Sequence, residues 1–336
     1  MMNIEFDRMI KNKISIGYID EDEYNAIHVA YGIDNNFLYG CGVSIVSLLI
    51  NNLDKKFIFH VFIDNLMKDA DIKKFREICS QYNTRIILYF IDATSLSNLP
   101  TTKNWTHAIY FRFIIAEYFK NKINYLLYLD ADIICHRKID DLIHEMLDGK
   151  VAAVVAERDA SWWKNRANNL GFPEISAGYF NSGVMYINLV VWHEQHVTKN
   201  AVDLLMNHSI SAKLSYPDQD VLNILLMGKV VYIKSIFNTQ FSLNYELKDK
   251  FEYPVNEQTV FIHYVGPTKP WHEWACYPSA EPFLKARMAS PWRDIPLMEP
   301  SSSNYLRYCA KHKIKQKKYL QGLIFYIQYF VSKIKR

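Results

Sequence analysis

The apolar positions of the chain recur with two different periods, and their alternation predicts the class of fold. Apolar runs typical of buried β-strands cover the segments 26–33, 57–63, 85–91, 125–130, 151–156, 184–189, 229–233 and 260–264. Between the earlier runs, apolar residues recur every three or four positions, as in helices, over 42–50, 71–82 and 107–119. This alternation predicts an α/β fold with a mainly parallel sheet flanked by helices. The later runs are farther apart, so we expect mixed strand directions there.

The composition is that of an ordered globular protein. Half of the 336 residues are hydrophobic and 15% are aromatic, which is enough to bury a large core. The five cysteines are scattered and include no C-x-x-C pair, which indicates neither a disulfide framework nor a zinc knuckle. No apolar run reaches the roughly 18 residues of a spanning helix, and residues 1–13 lack the apolar core of a secretory signal. We therefore expect a cytoplasmic protein.

The net charge of +4 is divided unevenly, because no acidic residue follows Glu299 while lysines and arginines are frequent there. Among them, apolar residues fall on one helical face: Leu320, Leu323, Ile324, Ile327, Val331 and Ile334. A basic helix with such a face is typical of an anionic membrane interface. The alternative is a helix docked on the body with its basic face in solvent. No nucleic-acid-binding motif accompanies the charge, so no nucleic-acid partner is expected.

Two aspartates follow directly on an apolar strand in YLLYLDADIIC, residues 125–135. The run before Asp130 and Asp132 has no polar alternation, which predicts a central strand covered on both faces. Ligands bind at the carboxyl ends of strands in open α/β sheets, and a buried carboxylate needs a cation or another partner. Two further D-x-D pairs, at 20/22 and 69/71, lie in an acidic run and in the first turn of a helix, where ordinary solvation explains them.

A second polar stretch, HYVGPTKPWH (263–272), also follows a strand. His263 can be an imidazole ligand, Gly266 lets backbone approach a ligand closely, and Lys269 offers an ammonium to phosphate. Taken alone, a histidine near a lysine is more often structural. With the two aspartates, however, His263 completes a set that suits Mn²⁺ or Mg²⁺ with diphosphate oxygens in the remaining positions.

Together, LYLDADI, HYVGPTKPWH and the N-terminal AYGIDNNF resemble retaining glycosyltransferase family 8, whose fold is GT-A and whose donors are UDP-sugars. Further segments (LPTTKNW, AVVAERDASWW, NTQFSLNYELK and the basic C-terminal region) are similar to the lipopolysaccharide core α-1,3-glucosyl- and galactosyltransferases of Gram-negative bacteria. With the composition shift near residue 275, we expect an N-terminal extension over 1–24, a GT-A domain over 25–275, and a basic amphipathic region over 276–336 that associates with membrane or acceptor.

The resemblance implies a role for individual residues. Asp130, Asp132 and His263 would hold Mn²⁺, or alternatively Mg²⁺, against the two phosphates of UDP. The nucleotide would be contacted by Asp34 and Asn36. Phe37 stands where the family often has a tyrosine, and it would stack on uracil without the hydroxyl. The remaining donor-site residues would bind the sugar and the β-phosphate: Arg112, Asn181, Asp218, Gln219, Gly266 and Lys269.

The chemistry expected from these roles centres on the leaving diphosphate. Lys269 and the cation would stabilise the charge that grows on UDP as the sugar–phosphate bond breaks. The family retains configuration at the anomeric carbon, which by analogy with glycosidases could require a covalent intermediate. Gln219, expected beneath that carbon, is a poor nucleophile. We therefore predict a front-face route in which Gln219 orients the sugar and Asp218 forms no glycosyl adduct.

The function implied is transfer of glucose from UDP-glucose to a lipid-linked lipopolysaccharide core oligosaccharide, α-1,3 linked, with UDP-galactose as the alternative donor. The enzyme would be peripheral on the cytoplasmic face of the inner membrane. Trp162 and Trp163 would offer a stacking platform for acceptor sugars or simply pack, and Asp159 would contact the acceptor.

Two other classes of protein fit part of the pattern. Haloacid-dehalogenase-like phosphatases also place D-x-D after an apolar strand, but their signature continues with Thr or Val, where this chain has Ile133. The HYVGPTKPW loop also has no role in the mechanism of these phosphatases. A non-catalytic sugar-nucleotide-binding module is the third alternative, against which stand the complete metal set and an intact Gln219.

Overall fold

The computed structural model describes residues 6–18, 25–64, 66–101 and 106–334. Their strands are β1 Ile10–Gly17, β2 Ile27–Ile33, β3 Phe57–Ile63, β4 Arg85–Ile91, β5 Tyr125–Leu129, β6 Ile133–Cys135, β7 Ala152–Ala156, β8 Phe180–Asn188, β9 Val230–Ile233, β10 Thr239–Gln240 and β11 Phe261–His263. Their α-helices are α1 Leu38–Asn51, α2 Asp69–Gln81, α3 Phe111–Tyr118, α4 Asp140–Ile143, α5 Ala160–Leu170, α6 Leu189–Glu194, α7 Val197–Met206, α8 His208–Ser211, α9 Pro217–Leu225, α10 Glu281–Met288, α11 Ser303–Lys315 and α12 Tyr319–Ile334.

The main sheet has eight strands in the order β1-β4-β3-β2-β5-β8-β7-β9. Its centre is parallel, from β4 through β3 and β2 to β5, and β7 is parallel to β9. In contrast, β8 runs antiparallel to both of its neighbours. The predicted mixed, mainly parallel sheet with helices on both faces is thereby confirmed, since apolar clusters lie on both sides of it.

A second, three-stranded sheet positions the two polar stretches relative to each other. It has the order β10-β11-β6, and β6 and β11 are antiparallel with His263 opposite Ile133. The Asp130–Asp132 turn connects β5 of the main sheet to β6. This register therefore places the end of β11 beside that turn, although the two stretches are more than a hundred residues apart.

Several elements differ from the prediction. β1 is absent from the predicted strands because its sequence, IKNKISIG, is polar and half exposed, as an edge strand allows. Strand β1 pairs with β4. Residues 1–5 and 19–24 of the expected N-terminal extension lie outside the described residues. Residues 102–105 of the LPTTKNW segment also lie outside them. β6 and β10 have too few residues to give a periodic signal, and the first turn of the 107–119 helix is a 3-10 turn.

Helix α1 is buried along nearly its whole length and depends on small residues near its start. A Cβ at Gly40 would lie 2.5 Å from the Trp271 ring, and a Cβ at Gly42 would lie 2.1 Å from the Trp292 ring. Both tryptophans come from the chain after β11. The glycines therefore let these rings pack directly on α1, which holds the C-terminal segment against the sheet.

The C-terminal region ends in two helices, α11 and α12, that pack against each other at Gly322, where a Cβ would meet Ile314 at 2.5 Å. The predicted apolar face of α12 is exposed: its members from Leu320 to Ile334 are between 43% and 84% accessible. In the part of the chain that the structure describes, we find no helix both long and apolar enough to cross a bilayer.

Candidate active site

Two aspartates at the end of β5 and one histidine from β11 form a cluster that fits a divalent cation. Asp130, Asp132 and His263 each offer one ligand atom, and these atoms lie within 4.8 Å of one another. Two carboxylates and an imidazole suit Mn²⁺ or Mg²⁺, with substrate oxygens completing the coordination shell. The chemistry of the donor set thus fits the cation expected from the sequence.

Asp132 is the buried carboxylate of this cluster, and it is paired on both oxygens. Its Oδ1 lies 3.2 Å from Nε2 of His263, and its Oδ2 forms an ion pair with the Lys269 ammonium. Burial opposes its ionisation, but the charges of Lys269 and His263 outweigh burial and hold the pKa of Asp132 well below its ordinary value. Asp132 is therefore an anion at neutral pH.

A chain of amides sets which nitrogen of His263 faces the cluster. The Gly183 N–H donates to Asn181 Oδ1 at 3.0 Å, and Asn238 Nδ2 donates to the same oxygen at 2.9 Å. Asn238 therefore turns its carbonyl oxygen toward Nδ1 of His263, 3.0 Å away. Nδ1 therefore carries a proton, and Nε2 is the nitrogen that could bind a cation in place of its contact with Asp132.

Beside the metal cluster, Asn181 of β8 and Gln219 of α9 form a buried amide network. Gln219 Oε1 accepts from the Ser182 N–H at 3.0 Å and from Asn181 Nδ2 at 3.2 Å. Gln219 Nε2 donates to Glu157 at 2.9 Å and to the Tyr179 hydroxyl at 3.3 Å. Both ends of the Gln219 amide are thus fixed by hydrogen bonds.

Arg112 joins the metal cluster to this network. Its guanidinium is buried over the Tyr128 ring, and Nη2 lies 3.2 Å from Asp130 Oδ1 and 3.1 Å from Asp218 Oδ2. Nη1 donates to the Ser182 carbonyl at 2.9 Å. Burial raises the pKa of Asp218 above its ordinary value, and the Asp130 charge adds to this rise, while the Arg112 charge opposes it.

The second acidic residue of YPDQDVLN, Asp220, has a structural role. It is fully buried and ion-paired with Arg166, and its Oδ1 accepts from the Tyr179 hydroxyl at 2.6 Å. Its Oδ2 accepts from the N–H groups of residues 215 and 216 at 2.9 Å each. These bonds hold the first turn of α9, and with it Gln219, in place.

The predicted nucleotide contacts lie at the end of β2. Asp34 is buried and caps the following turn: it accepts from the Asn36 N–H at 2.9 Å and from the Thr106 hydroxyl at 3.1 Å. The half-buried Phe37 ring meets the Trp271 ring edge-on at 5.7 Å, and the Lys269 ammonium lies 5.8 Å from the Phe37 centroid. The structure thus brings Phe37 and Lys269 together.

The 264–272 loop carries the remaining predicted groups. Gly266 has a φ of +89°, and a Cβ there would also meet the Ser242 hydroxyl at 2.9 Å. Glycine is therefore the residue that fits. Lys269 Nζ donates to the Tyr264 carbonyl at 2.9 Å, so the loop folds its ammonium back toward the aspartates.

The predicted acceptor residues lie in and around α5. Asp159 caps that helix through the Trp162 N–H at 2.9 Å, a structural use of its carboxylate. Both Trp162 and Trp163 pack partly against the core, with Trp162 edge-on to Tyr179 at 5.0 Å. Stacking on an acceptor sugar stays a prediction for these two rings.

Comparison with known proteins agrees with this geometry. The model of glycosyl transferase family 8 matches residues 28–275, and the model of the family 8 C-terminal region matches residues 277–333. The chain belongs to glycosyl transferase family 8. It is therefore a glycosyltransferase, and the family resemblance drawn from LYLDADI and HYVGPTKPWH is confirmed.

Relatives within family 8 cover almost the whole chain. It is 50% identical over 317 residues to the lipopolysaccharide glucosyltransferase WaaO of Escherichia coli, spanning 94% of this chain and 93% of that protein. It is 45% identical to the lipopolysaccharide 1,3-galactosyltransferase of Salmonella typhimurium, over 98% and 97% of the two chains. The crystal structure of the galactosyltransferase LgtC shares the fold, with a TM-score of 0.65, 22% identity, and coverage of 79% of this chain and 96% of that one.

Three residues of the site were missed by sequence reasoning. Glu157 accepts from both Asn181 and Gln219, Asn238 orients His263, and Tyr179 bridges Gln219 and Asp220. Glu157 follows β7 directly, as Asp130 follows β5, so its place at a strand end was a usable signal. Asn238 and Tyr179 have no such signal, because isolated polar residues beside short strands are common.

Proposed function

We propose that this family 8 enzyme transfers glucose from UDP-glucose, or alternatively galactose from UDP-galactose, to the core oligosaccharide of lipopolysaccharide, in α-1,3 linkage and with retention. The observation that carries the proposal is the Asp130–Asp132–His263 cluster with Lys269 at one end of a site whose other end is the Gln219 network. The two relatives named above support the donor and acceptor classes, because their names specify lipopolysaccharide and a hexose.

In this proposal the cluster holds Mn²⁺, with Mg²⁺ as the alternative, and the ion supplies Lewis-acid stabilisation of the departing diphosphate. Lys269 adds a preorganised positive charge at the same place. When UDP is bound, we expect the Lys269 ammonium to exchange its contact with Asp132 for one with phosphate. Phe37 offers uracil an apolar ring, with Asp34 and Asn36 at its side and Gly266 against the β-phosphate.

At the sugar end, we propose that Asn181, Arg112 and Gln219 orient the hexose for attack on the face from which UDP leaves. The two carboxylates nearest Gln219 in this site already have partners: Asp218 pairs with Arg112, and Glu157 accepts from two amides. This pairing favours the front-face route, in which the departing phosphate takes the proton of the acceptor hydroxyl. A glycosyl adduct trapped on Asp218 would contradict it.

The donor is tested by supplying the purified chain with UDP-glucose or UDP-galactose, Mn²⁺, and lipopolysaccharide truncated before the accepting residue. We expect transfer of one of the two sugars, with α configuration and a 1,3 linkage in the NMR spectrum of the product. Transfer of neither sugar to any truncated core would contradict the proposal. A β-linked product would contradict retention.

We further propose that α12 lies on an anionic membrane surface, as a peripheral contact that brings the enzyme to its lipid-linked acceptor. Its exposed apolar face adjoins cations of the same tail, such as Lys317, Lys318 and Lys333. Lys313 is not available for this role, because it is buried and pairs with Glu273. Exposed apolar and basic groups on one helix suit an anionic interface.

The membrane proposal is tested by replacing Leu323 and Ile327 with Gln, or by ending the chain at Lys318, which removes α12. Both variants should sediment less with anionic vesicles than the wild type, and show a higher apparent KM for lipid-bound acceptor. Hydrolysis of the UDP-sugar should be unchanged. Unreduced vesicle binding by both variants would contradict a membrane role for α12.

A further inference from the structure

Helix α11 of the C-terminal region packs directly on the 264–272 loop that carries Lys269. We propose that His312 of α11 is a positioning residue for this loop, so that the C-terminal region is part of the donor site. The inference rests on the proposed function, since Lys269 matters most if it meets a leaving diphosphate.

His312 is fully buried and bonded through both ring nitrogens. Its Nε2 lies 3.0 Å from Asn244 Oδ1 and 3.3 Å from the Thr268 hydroxyl, and its Nδ1 lies 2.8 Å from the Tyr277 hydroxyl. Asn244 Oδ1 is an acceptor only, so Nε2 carries the proton and Nδ1 accepts from Tyr277. Burial, helped by the nearby Lys311 charge, lowers the pKa of His312 to about 4. His312 is thus a neutral donor at physiological pH.

Thr268 links His312 to the predicted chemistry. It is fully buried, and its hydroxyl donates to Asn244 Oδ1 at 2.7 Å, the same oxygen that receives the His312 proton. Trp274 Nε1 donates to this hydroxyl at 3.4 Å. The next residue is Lys269. A shift of Thr268 would displace the backbone of Lys269, from which the ammonium reaches Asp132.

A second contact from α11 reaches the other end of the loop. The Tyr305 ring lies 4.9 Å from the ring of His272, which is also stacked on Trp274 at 4.2 Å. Nδ1 of His272 accepts from the Lys269 N–H at 3.1 Å. Lys269 is therefore held on both sides by groups that rest on α11, and none of these contacts involves the exposed face of α12.

The two helices of the C-terminal region should therefore have different functions: α11 positions the loop that carries Lys269, and α12 contacts the membrane. Ending the chain near Ser303 removes both helices, and so cannot test membrane contact without also loosening the donor loop.

Substitutions of His312 test the loop contact without removing either helix. His312→Ala removes all three polar contacts of the ring, whereas His312→Gln retains an N–H that can reach Asn244 Oδ1. Cys309→Ala is a matched control, because Cys309 is equally buried on the same helix and its thiol donates to Glu273, which lies outside the 264–272 loop.

The test compares these variants with the wild type in hydrogen exchange of peptides covering 264–272 and in UDP-sugar turnover with Mn²⁺. For His312→Ala we expect faster exchange of this loop, a fall in kcat of about tenfold or more, and an unchanged KM for the acceptor. His312→Gln should recover most of the rate, and Cys309→Ala should behave as the wild type in both assays.

Two results would overturn the inference: a His312→Ala protein with normal loop exchange and normal kcat, or equal losses in Cys309→Ala. Equal losses would mean that α11 supports only general stability. If the wild type itself turned over no UDP-hexose, the proposed function would fail. Hydrogen exchange would then still decide whether His312 positions the loop.

Discussion

The two ends of the site differ in the kind of group that builds them. At the metal end, charged groups form ion pairs, Asp132 with Lys269 and Asp130 with Arg112, and His263 lies beside Asp132. At the sugar end, most contacts are made by amides whose orientation is set by backbone N–H groups, with Gln219 at the centre. Arg112 and Asp218 stand between the two ends.

This difference matches what each end has to do in the proposed reaction. Negative charge grows on the diphosphate during the reaction, and exchangeable ion pairs can be redirected to it. Sugar hydroxyls stay neutral, and they are recognised by the direction of hydrogen bonds. We therefore expect variants at the metal end to act on the leaving group, and variants at the sugar end to act on the position of the hexose.

Of the variants that distinguish the metal end of the site from the sugar end, Lys269→Met is expected to have the largest effect. Turnover of UDP-sugar should fall by about 10²–10³-fold, as when one preorganised charge is lost from a transition state. Mn²⁺ affinity in the absence of UDP should not weaken, because the substitution removes the cation that competes for Asp132. Steady-state kinetics and a Mn²⁺ titration followed by tryptophan fluorescence measure the two quantities. Loss of Mn²⁺ binding would contradict the competition between Lys269 and the metal.

A smaller effect is expected for Glu157→Gln at the sugar end. Glu157 Oε2 accepts from both Asn181 and Gln219, and the neutral oxygen of a glutamine amide accepts more weakly than a carboxylate oxygen. We expect kcat to fall about tenfold to a hundredfold through misplacement of the sugar, while affinity for UDP with Mn²⁺ is retained. Calorimetric titration with UDP gives the second quantity. Equal loss of UDP affinity would mean that the two ends do not act separately.

The smallest effect concerns stability and pH, and it has opposite signs at the two ends. The folded-state pKa of Asp218 is raised, so its ionised form costs stability at neutral pH, and this cost disappears as the pH falls below the folded pKa. The pKa of Asp132 is lowered, so Asp132 adds stability above its unfolded pKa, which is lost as the pH falls toward the folded value.

Asp218→Asn should therefore leave the free energy of unfolding at pH 7 unchanged or raised. Asp132→Asn should lower it by about 3 kcal/mol, because Lys269 is left buried without its partner. Denaturant unfolding of both metal-free variants at pH 7 and pH 4 measures this contrast. A marked loss of stability in Asp218→Asn at pH 7 would contradict it.

Much of the architecture was predictable, because long apolar runs such as 57–63 and 85–91 report burial on both faces of a strand. Asp130 and His263 were also predictable, since each stands at the end of such a run. What joins them was not: the β6–β11 register depends on short strands with no periodic signal.

The remaining surprises lie in contacts between distant segments. The apolar face of α12 could be read from its helical spacing, whereas nothing in KHKIK indicates that His312 reaches Thr268. Likewise, the four aspartates of the D-x-D pairs after β5 and around Gln219 look alike in sequence, yet Asp220 pairs with Arg166 and Asp130 with Arg112. Such partners are set by tertiary packing and not by local pattern.

The most direct test of the account uses the two copies of the tripeptide Asp-Ala-Asp in this chain. UDP release from UDP-glucose and from UDP-galactose is measured with Mn²⁺ and with chelator, for the wild type, Asp130→Asn and the matched control Asp69→Asn on α2. We predict metal-dependent release that Asp130→Asn abolishes and Asp69→Asn leaves intact. Release that survives chelation, or that Asp130→Asn leaves unchanged, would contradict a diphosphate–metal site at the end of β5.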